Sequence, residues 1–408
     1  MKSLNLTYVL TLLFVGVFLS DSLATNKVPS KPVRNDLEQG NFFIKHYNRD
    51  FLNSVYANWT LIQDQDGIIY VGNTIKGVIE FDGQRVRRII KNNVPMNAFI
   101  REMGMDSKNT IYVGATANFG YLQKNKFGEQ EYISLSDALP KKDEISSTFW
   151  GLCVHHDTAF FQTENSVYIY RHKKFLKVYK FNETVHVLNE TPDGVFLRVW
   201  GKGLMRFTKE KGFQLIPGTA KIFAQNRIDA LYLLRSGDHL LVSRNVGFYL
   251  LKKNGTVEKV QNPFINQYVI EGHSYMGSAV MKNGKIPVIT SDRGILFLNQ
   301  DLSLNAEIGV KSGLHEEGFS YYIQDRAGDI WGANSGMTKI SFDPSLTNFS
   351  SINGLKGGVS DIHRIGGTLY VRTSDDLFRF NAKKSVADLS TFSSMGITEL
   401  GGRFISFG

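Results

Sequence analysis

The sequence predicts an all-β protein built from one repeated unit of short strands. Composition is the first indication, because 29 Phe and 17 Tyr suit pleated, half-buried strands and 38 Gly suit frequent tight turns. The second is a strand–turn–strand pattern that recurs about every 42 residues. The third is the near absence of helical periodicity, since only Leu135–Ile145 has the pattern of a short helix.

The repeat consists of an apolar strand, a polar turn with Asp, Asn or Gly, an aromatic-rich middle strand, a short turn, and a third strand. The clearest copies are Leu61–Asn73, Met105–Ala115 and Tyr322–Asn334. Weaker copies surround Phe160, Phe196, Leu241, Val288 and Tyr370, and a last one begins near Phe404. The predicted third strands are Gly77–Phe81, Ser166–Tyr170, Gly203–Phe207, Gly247–Leu251, Gly294–Leu298, Met337–Ser341 and Asp376–Phe380.

A unit of this size with four short strands is typical of a β-propeller blade. Seven copies run from about Trp59 to Phe349, an eighth follows at Val359–Leu389, and a ninth begins at Ile397. Either a seven-bladed ring followed by the start of a second ring or a single ring of eight fits this count, and the ninth copy favours the first. The expected organisation is a signal peptide at 1–24, a linker at 25–41, a seven-bladed propeller at 42–355, and an incomplete second propeller at 356–408.

The first 24 residues read as a secretory signal. Lys2 precedes the apolar run Tyr8–Leu19, and Ser22-Leu23-Ala24 forms a small-x-small cleavage site. The run is too short to span a bilayer comfortably, which takes about 20 residues. An uncleaved anchor is the alternative. We therefore expect export across the inner membrane and a periplasmic, extracytoplasmic location.

Charge and cysteine content exclude several classes of function. The net charge of +9 is scattered in pairs such as Lys141-Lys142 rather than gathered on one face, so no nucleic-acid contact is expected. One thiol, Cys153, makes neither an intrachain disulfide nor a cysteine zinc site. Neighbouring histidines on a strand, His155 and His156, point to opposite faces. The sequence predicts no metal, no cofactor and no catalytic residues.

Binding is expected at the mouth of the central channel, where loops of several blades converge. Arginine offers a forked donor for carboxylate, sulfate or phosphate, and tryptophan and tyrosine offer flat faces for sugar rings. Blade packing and rim charge are the alternative at any one position. The candidate ligand-binding residues are Trp150, Arg198, Trp200, Arg244, Asp292, Arg293 and Tyr322.

The unit Ile62-Gln-Asp-Gln-Asp-Gly-Ile-Ile-Tyr70, repeated as Ile323-Gln-Asp-Arg-Ala-Gly-Asp-Ile-Trp331, resembles the two-component regulator propeller repeat. Tyr47–Phe51 with Trp59–Asp64, and Tyr112–Tyr121, are similar to the start of the first ring in that family. The resemblance covers about residues 42 to 408. It implies an extracytoplasmic sensor whose output is a histidine kinase or a LuxR-type regulator, reached through a three-tyrosine domain and a membrane helix.

This sequence departs from the family layout, because it contains no three-tyrosine domain, kinase, DNA-binding helix pair or second membrane segment. We expect a fragment of a longer protein that meets the membrane only through missing C-terminal segments. The primary hypothesis is a sensor that binds an extracellular small molecule or oligosaccharide, with homodimerisation left open. A secreted propeller enzyme of the lyase or glycosidase type and a non-catalytic glycan- or protein-binding module are the alternatives.

Overall fold

The computed structural model describes residues 40–89, 99–139, 147–274, 277, 279–341, 347–382 and 390–395. The signal peptide expected at 1–24, most of the predicted linker and the ninth repeat from Ile397 lie outside the described residues. Those expectations, and the domain boundaries that depend on them, stay predictions.

The first five sheets each contain four antiparallel strands in chain order, and we number them blades 1 to 5. Blade 1 is β2 (Asn58–Gln63), β3 (Ile69–Asn73), β4 (Gly77–Phe81) and β5 (Val86–Ile89); blade 2 is β6 (Ile100–Met105), β7 (Ile111–Ala115), β8 (Asn118–Lys124) and β9 (Gln130–Ser134); blade 3 is β10 (Gly151–His155), β11 (Thr158–Gln162), β12 (Ser166–Arg171) and β13 (Lys174–Lys180); blade 4 is β14 (Val185–Thr191), β15 (Gly194–Val199), β16 (Gly203–Thr208) and β17 (Gly212–Leu215); blade 5 is β18 (Ala230–Leu233), β19 (His239–Ser243), β20 (Gly247–Leu251) and β21 (Val257–Lys259).

The remaining sheets differ from this plan in instructive ways. Blade 6 has three strands among the described residues, while bridges of Ser274 to Thr290 and Gly277 to Ala230 occupy the place of an innermost strand. Blade 7 takes its outermost strand, β1, from the start of the described chain. The strands are β22 (Ile286–Ile289), β23 (Ile295–Leu298) and β24 (Leu304–Ile308) in blade 6; β1 (Phe43–Tyr47), β25 (Tyr321–Gln324), β26 (Ile330–Ala333) and β27 (Met337–Ser341) in blade 7; and β28 (Val359–Ile365), β29 (Thr368–Thr373), β30 (Leu377–Asn381) and β31 (Thr391–Ser394) in an eighth sheet.

The ring closes between blade 7 and blade 1. β1 pairs antiparallel with β27, from Phe43 opposite Ser341 to Tyr47 opposite Met337. The innermost strands β2 and β25 are in contact, and the Ser320 hydroxyl donates to the Asn58 carbonyl at 2.6 Å. Because the outer strand of the last blade comes from the start of the chain, the two ends of the ring are held together by a full strand pairing.

Apolar side chains fill the space between each pair of successive blades. At the closure, Tyr47, Phe81 and Trp331 lie in one buried cluster, with the Tyr47 and Trp331 rings stacked 5.7 Å apart. Equivalent clusters lie between the blades of each of the six remaining neighbouring pairs. These clusters confirm the all-β propeller of four-stranded blades, with seven sheets in the ring and an eighth beyond it.

The aspartate of the repeat motif organises the turn between the first two strands of a blade. Asp64 accepts the amide N–H groups of Asp66 and Ile68 at 2.9 Å each through one oxygen. Its second oxygen accepts the hydroxyl of Tyr70 at 3.1 Å. Asp64 therefore holds the turn through one oxygen and links it to the middle strand through the other.

The same arrangement recurs in two other blades. Asp106 accepts the Thr110 amide and the Tyr112 hydroxyl, and Asp325 accepts the indole N–H of Trp331 at 2.8 Å. The spacing of six residues between aspartate and aromatic is therefore a structural requirement, since the aromatic must carry an O–H or N–H at its tip.

The glutamine of the motif links consecutive blades. Gln63 donates to the Gly67 carbonyl within its own turn, and its amide oxygen accepts the backbone N–H of Arg326 from blade 7. Gln324 likewise donates to Gly328 and accepts from Lys282 of blade 6. Each such glutamine thus ties its turn to the turn of the preceding blade.

The helix expected at Leu135–Ile145 is described only as far as Leu139, where a short 3-10 helix covers Ser136–Ala138, and the rest of it stays a prediction. The described α-helices are α1 (Arg49–Leu52), α2 (Ala220–Phe223) and α3 (Pro263–Glu271), and further 3-10 helices cover Val310–Ser312 and Ser351–Asn353. Helix α3 begins at Asn262, whose side chain accepts the Ile265 amide, with proline in the first turn. Its nine residues lie in one blade-to-blade connection, where no helical repeat pattern could reveal them.

We expect Asp64→Ala to lower the free energy of unfolding by about 2 kcal/mol, because the change leaves the partly buried amides of the turn and the buried Tyr70 hydroxyl without this acceptor. Asp82→Ala is the matched control, since Asp82 accepts only the Gln84 and Arg85 amides at an exposed turn. Chemical denaturation of both variants measures the effect. Equal losses in the two variants would contradict a special role for the repeat aspartate.

Candidate functional site

A cavity of about 570 Å³ opens on the face of the ring where the innermost strands begin. Residues from five blades line it: Trp59, Arg101, Trp150, Gln162, Glu164, Thr184, Val185, His186, Val187, Arg227 and Arg244. We call this the mouth cavity. Its volume lies within the range of about 300–1,000 Å³ typical of small-molecule sites.

Two β-bulges aim side chains into the mouth cavity. The pairing of β2 with β3 shifts register around Trp59, and the pairing of β6 with β7 shifts register around Arg101. Trp150 precedes the first residue of β10 at the corresponding place in blade 3. Because a bulge inserts one unpaired residue and redirects its side chain, Trp59 and Arg101 face the mouth, and Trp150 reaches it from the start of the next blade without a bulge.

The Arg101 guanidinium lies between two indole rings. Its central carbon is 4.4 Å from the Trp59 ring centre and 4.7 Å from that of Trp150. Trp150 is 48% exposed, and the Trp59 indole donates to the Thr74 hydroxyl at 2.9 Å. The two rings hold the cation in place by cation–π attraction, and the exposed part of Trp150 offers an apolar face to a ligand.

Two further arginines of blade 5, Arg227 and Arg244, line the mouth cavity and contact the same carboxylate, that of Asp229. Asp229 is fully buried and accepts both the side-chain Nε and the backbone N–H of Arg244, at 2.9 and 2.8 Å. Arg227 Nε lies 3.3 Å from the same carboxylate. With Arg101, the cavity holds three guanidinium groups against Asp229 and the exposed Glu164, which leaves a net positive charge.

His186 is the one histidine among the residues lining the mouth cavity. Burial, together with the neighbouring charges of Arg227, Arg198 and Arg244, lowers the pKa of His186 to about 3. Its imidazole is therefore neutral at any physiological pH, and Nδ1 has no hydrogen-bond partner among the described residues. A neutral ring with an unused nitrogen can exchange a hydrogen bond with a ligand.

The predicted pair Arg198 and Trp200 lies beside the mouth rather than in its lining. Arg198 has no exposed surface and donates to the carbonyls of Phe223 and Ala224 at 2.9 Å each. Its guanidinium stacks 3.3 Å from the Trp200 ring centre. Burial lowers the pKa of Arg198 to about 10. These two hydrogen bonds make Arg198 a support of the neighbouring connection, and its ligand contact stays a prediction.

The other predicted residues lie apart. Asp292 is paired with His273 at 2.5 Å, and Arg293 with Glu271 at 2.5 Å, all four on the surface. Tyr322 is buried on β25 and donates its hydroxyl to the Ala279 carbonyl at 2.7 Å. Of the seven predicted residues, the structure brings only Trp150 and Arg244 into the mouth cavity, and their ligand contact stays a prediction.

A second cavity of about 340 Å³ lies deeper along the innermost strands, and we call it the inner cavity. Val187 lines both cavities. The polar side chains that line the inner cavity are Glu102, Cys153, Asn189, Glu190, Tyr321 and Tyr322. Burial raises the pKa of the Cys153 thiol well above its ordinary value, so this cysteine is not an activated nucleophile.

Glu102 joins three blades across the closure of the ring. Its carboxyl group accepts the Thr60 hydroxyl of blade 1 at 3.1 Å and that of Tyr321 of blade 7. Glu102 is 5% exposed, and burial raises its pKa to about 8. Burial also raises the pKa of Glu190, which contacts His155 at 3.0 Å. The inner cavity is therefore bordered by two carboxyl groups that burial shifts toward their neutral forms.

Sequence reasoning missed Trp59, Arg101, Arg227, His186 and Glu102. Trp59 stood within the quoted repeat, but its position relative to Trp150 depends on the bulge. One signal was available, because Trp59 and Arg101 are the second residues of the innermost strands of consecutive blades, about one repeat apart. The clustering of five blades at one mouth could not be deduced without the ring closure.

We expect Glu102→Gln to flatten the pH dependence of stability. A raised pKa in the folded state means that stability is fully present below the ordinary value of 4.5 and is lost as pH rises toward 8. The loss attributable to Glu102 is on the order of 3 kcal/mol. Denaturation at pH 5 and pH 8 measures it, with Glu258→Gln, on the outer strand of blade 5, as an exposed control. A wild-type loss that persists in Glu102→Gln would contradict this assignment.

Comparison with solved structures shows the fold as a β-propeller. The extracellular domain assigned to the hybrid two-component system BT3049 from B. thetaiotaomicron matches with a TM-score of 0.59 and 16% identity, over 85% of this chain and 50% of that one. The corresponding domain of BT4673 from the same organism matches with a TM-score of 0.55 and 16% identity, over 88% of this chain and 47% of that one. The chain thus spans about half the length of these domains.

Propellers of other kinds are also similar. A streptogramin B lyase matches with a TM-score of 0.55 and 12% identity, over 74% of this chain and 98% of the lyase. No protein-family profile matches the chain, and no curated protein matches its sequence. Within the described ranges, no helix is long and apolar enough to cross a bilayer, and no three His, Cys, Asp or Glu side chains are grouped to hold a metal ion.

Proposed function

We propose that this chain is the ligand-binding propeller of an extracytoplasmic sensor, and that its mouth cavity captures an acidic saccharide. The observation that carries the proposal is the Arg101 guanidinium held between Trp59 and Trp150, with Arg227 and Arg244 on the opposite side of the same cavity. These groups come from separate blades and converge on one open space. Blade packing alone does not require three arginines around a cavity.

The chemistry of the mouth favours a ring that carries a carboxylate. A guanidinium binds a carboxylate through two parallel N–H donors, and such charge-assisted bonds are stronger than neutral ones. A half-exposed indole face packs against the apolar face of a sugar ring. Arg101 is already held by its two tryptophans, so little side-chain entropy is lost when it binds an anion.

Signalling is supported by three independent lines. The sequence resembles the two-component regulator propeller repeat, the N-terminus reads as a secretory signal, and the fold matches extracellular domains of hybrid two-component systems. A ligand changes the output only if it binds two states of the receptor unequally. We therefore propose that the output domain, a kinase or a LuxR-type regulator, lies outside this chain and responds to a change in blade or dimer geometry.

We further propose that the mouth cavity binds its saccharide without cleaving it. His186 is neutral with a pKa lowered to about 3, so it is a poor base. Glu164 lies at the exposed edge of the cavity. A propeller lyase is the competing function, favoured by the structural match to streptogramin B lyase. The two differ in one measurable respect, which is whether the bound saccharide is recovered intact.

We expect the purified chain to bind trigalacturonate, and to bind the neutral galactotriose at least about 10-fold more weakly, because only the acid pairs with guanidinium groups. Arg101→Met is expected to weaken trigalacturonate binding about 10- to 100-fold, and Trp150→Ala to weaken both sugars. Isothermal titration calorimetry measures the affinities, and chromatography of the recovered sugar tests for turnover.

Arg206→Met is the matched control. Arg206 also stacks on an aromatic ring, 5.5 Å from the centre of Phe196, but it lies outside both cavities. The affinity of the Arg206→Met variant for trigalacturonate should equal that of the wild type. Equal binding of acidic and neutral sugars, or an unchanged affinity in Arg101→Met, would contradict the mouth site. Cleavage of the sugar would favour the lyase.

A further inference from the structure

We propose that the inner cavity is a second subsite, which takes an uncharged, hydroxylated sugar ring joined to the acidic residue at the mouth. The complete ligand is then a saccharide with one uronic acid and one neutral sugar. This inference rests on the proposed function of the mouth cavity, and it adds the class of the second residue and the direction in which the ligand enters the channel.

The two cavities follow each other along the same strands. Arg101 lines the mouth cavity and the next residue, Glu102, lines the inner one; Trp150 and Gly151 are divided in the same way. Val187 borders both. A ligand anchored on Arg101 therefore reaches the inner cavity with its adjoining residue. A volume of about 340 Å³ lies within the range of small-molecule sites.

A buried polar group in the wall of the inner cavity has no partner. Asn189 is 3% exposed, and its Nδ2 makes no hydrogen bond to any described residue. An unpaired buried donor costs about 1–3 kcal/mol, so such a group in a cavity wall calls for an acceptor that the chain itself does not supply. This donor is independent of the acidic residues and requires an oxygen or nitrogen acceptor on the ligand.

The other polar groups of the inner cavity exclude a charged occupant. Its polar lining residues are Glu102, Cys153, Asn189, Glu190, Tyr321 and Tyr322, which supply no positive charge for an anion, and a buried carboxylate without a counter-charge is costly. Three arginines at the mouth disfavour the entry of a cation. A hydroxyl group is both donor and acceptor. Sugar hydroxyls can therefore accept a hydrogen bond from Asn189 and also donate hydrogen bonds to the Glu102 and Glu190 oxygens. An ammonium group can only donate and a carboxylate can only accept, so neither can do both.

The test compares three probes by calorimetry: glucuronic acid, a disaccharide of glucuronic acid linked to neutral xylose, and a disaccharide of two uronic acids. We expect the mixed disaccharide to bind at least about 10-fold more tightly than glucuronic acid, as two added hydrogen bonds would produce. The di-uronate should show no such gain, because its second carboxylate meets no positive charge in the inner cavity.

Two variants locate the gain. Asn189→Leu removes the unpartnered donor, and Tyr321→Phe removes the hydroxyl that orients the Glu102 carboxyl group, with little change in shape, so one informative variant remains if the other fails to fold. In both, the ratio of mixed-disaccharide to monosaccharide affinity should fall toward one. Tyr170→Phe is the matched control, since its buried hydroxyl lies outside both cavities and also lacks a partner among the described residues. Its ratio should not change.

The outcomes separate the two proposals. If glucuronic acid binds and depends on Arg101, but the mixed disaccharide shows no gain or keeps its gain in both variants, the inner subsite is wrong and the mouth site stands. An equal gain for the di-uronate would also overturn the inner subsite. If none of the probes binds, the mouth site fails and the inner subsite fails with it.

Discussion

The pairing of β1 with β27 is the interaction on which the rest of this structure depends. A propeller blade has apolar faces on both sides, and each must be covered by a neighbour. Six of the seven inter-blade spaces form between sheets that follow one another along the chain. The seventh requires blade 7 to meet blade 1, and there β1 supplies the outer strand of blade 7 while Tyr47 packs against Trp331.

Closure of the ring also brings polar side chains of different blades together in the channel. Glu102 of blade 2 also bonds to Thr60 of blade 1, but its hydrogen bond with Tyr321 of blade 7 exists only when the ring is shut. The seam is reinforced at the other end of the strands, where Gln63 accepts from the backbone of Arg326. Hydrogen bonds across the seam add directionality to the non-directional apolar contacts, which places the innermost strands accurately enough to form a site.

The mouth and the inner cavity have opposite electrostatic character within a short stretch of the same strands. A bulge separates the two, because it turns Arg101 toward the mouth and leaves Glu102 facing the channel. The arginines are held by tryptophan rings and by Asp229, and the carboxyl groups are bound by hydroxyls and an imidazole. Such an arrangement suits a ligand whose polarity changes along its length, and it was not foreseen from the candidate residues.

The residues themselves determine much of this protein. The repeat period, the Asp-x-x-Gly turns and the glycine-led third strands are local properties, and the strands Gly77–Phe81, Gly247–Leu251 and Met337–Ser341 are confirmed at their predicted bounds. Local patterns of this kind persist because each turn and each strand depends on the chemistry of its own few residues.

Only the tertiary structure decides which residues share a site. Arg198 and Trp200 have the residue types of a binding site, yet the buried Arg198 guanidinium bonds to the neighbouring connection and Trp200 stacks on it beside the mouth. Trp59, Arg101 and Arg227 lie far apart in the chain and meet because seven blades close around one axis. The packing of consecutive blades brings Trp59 to Arg101, and the curvature of the closed ring brings Arg227 of blade 5 to the same mouth; no local pattern contains either contact.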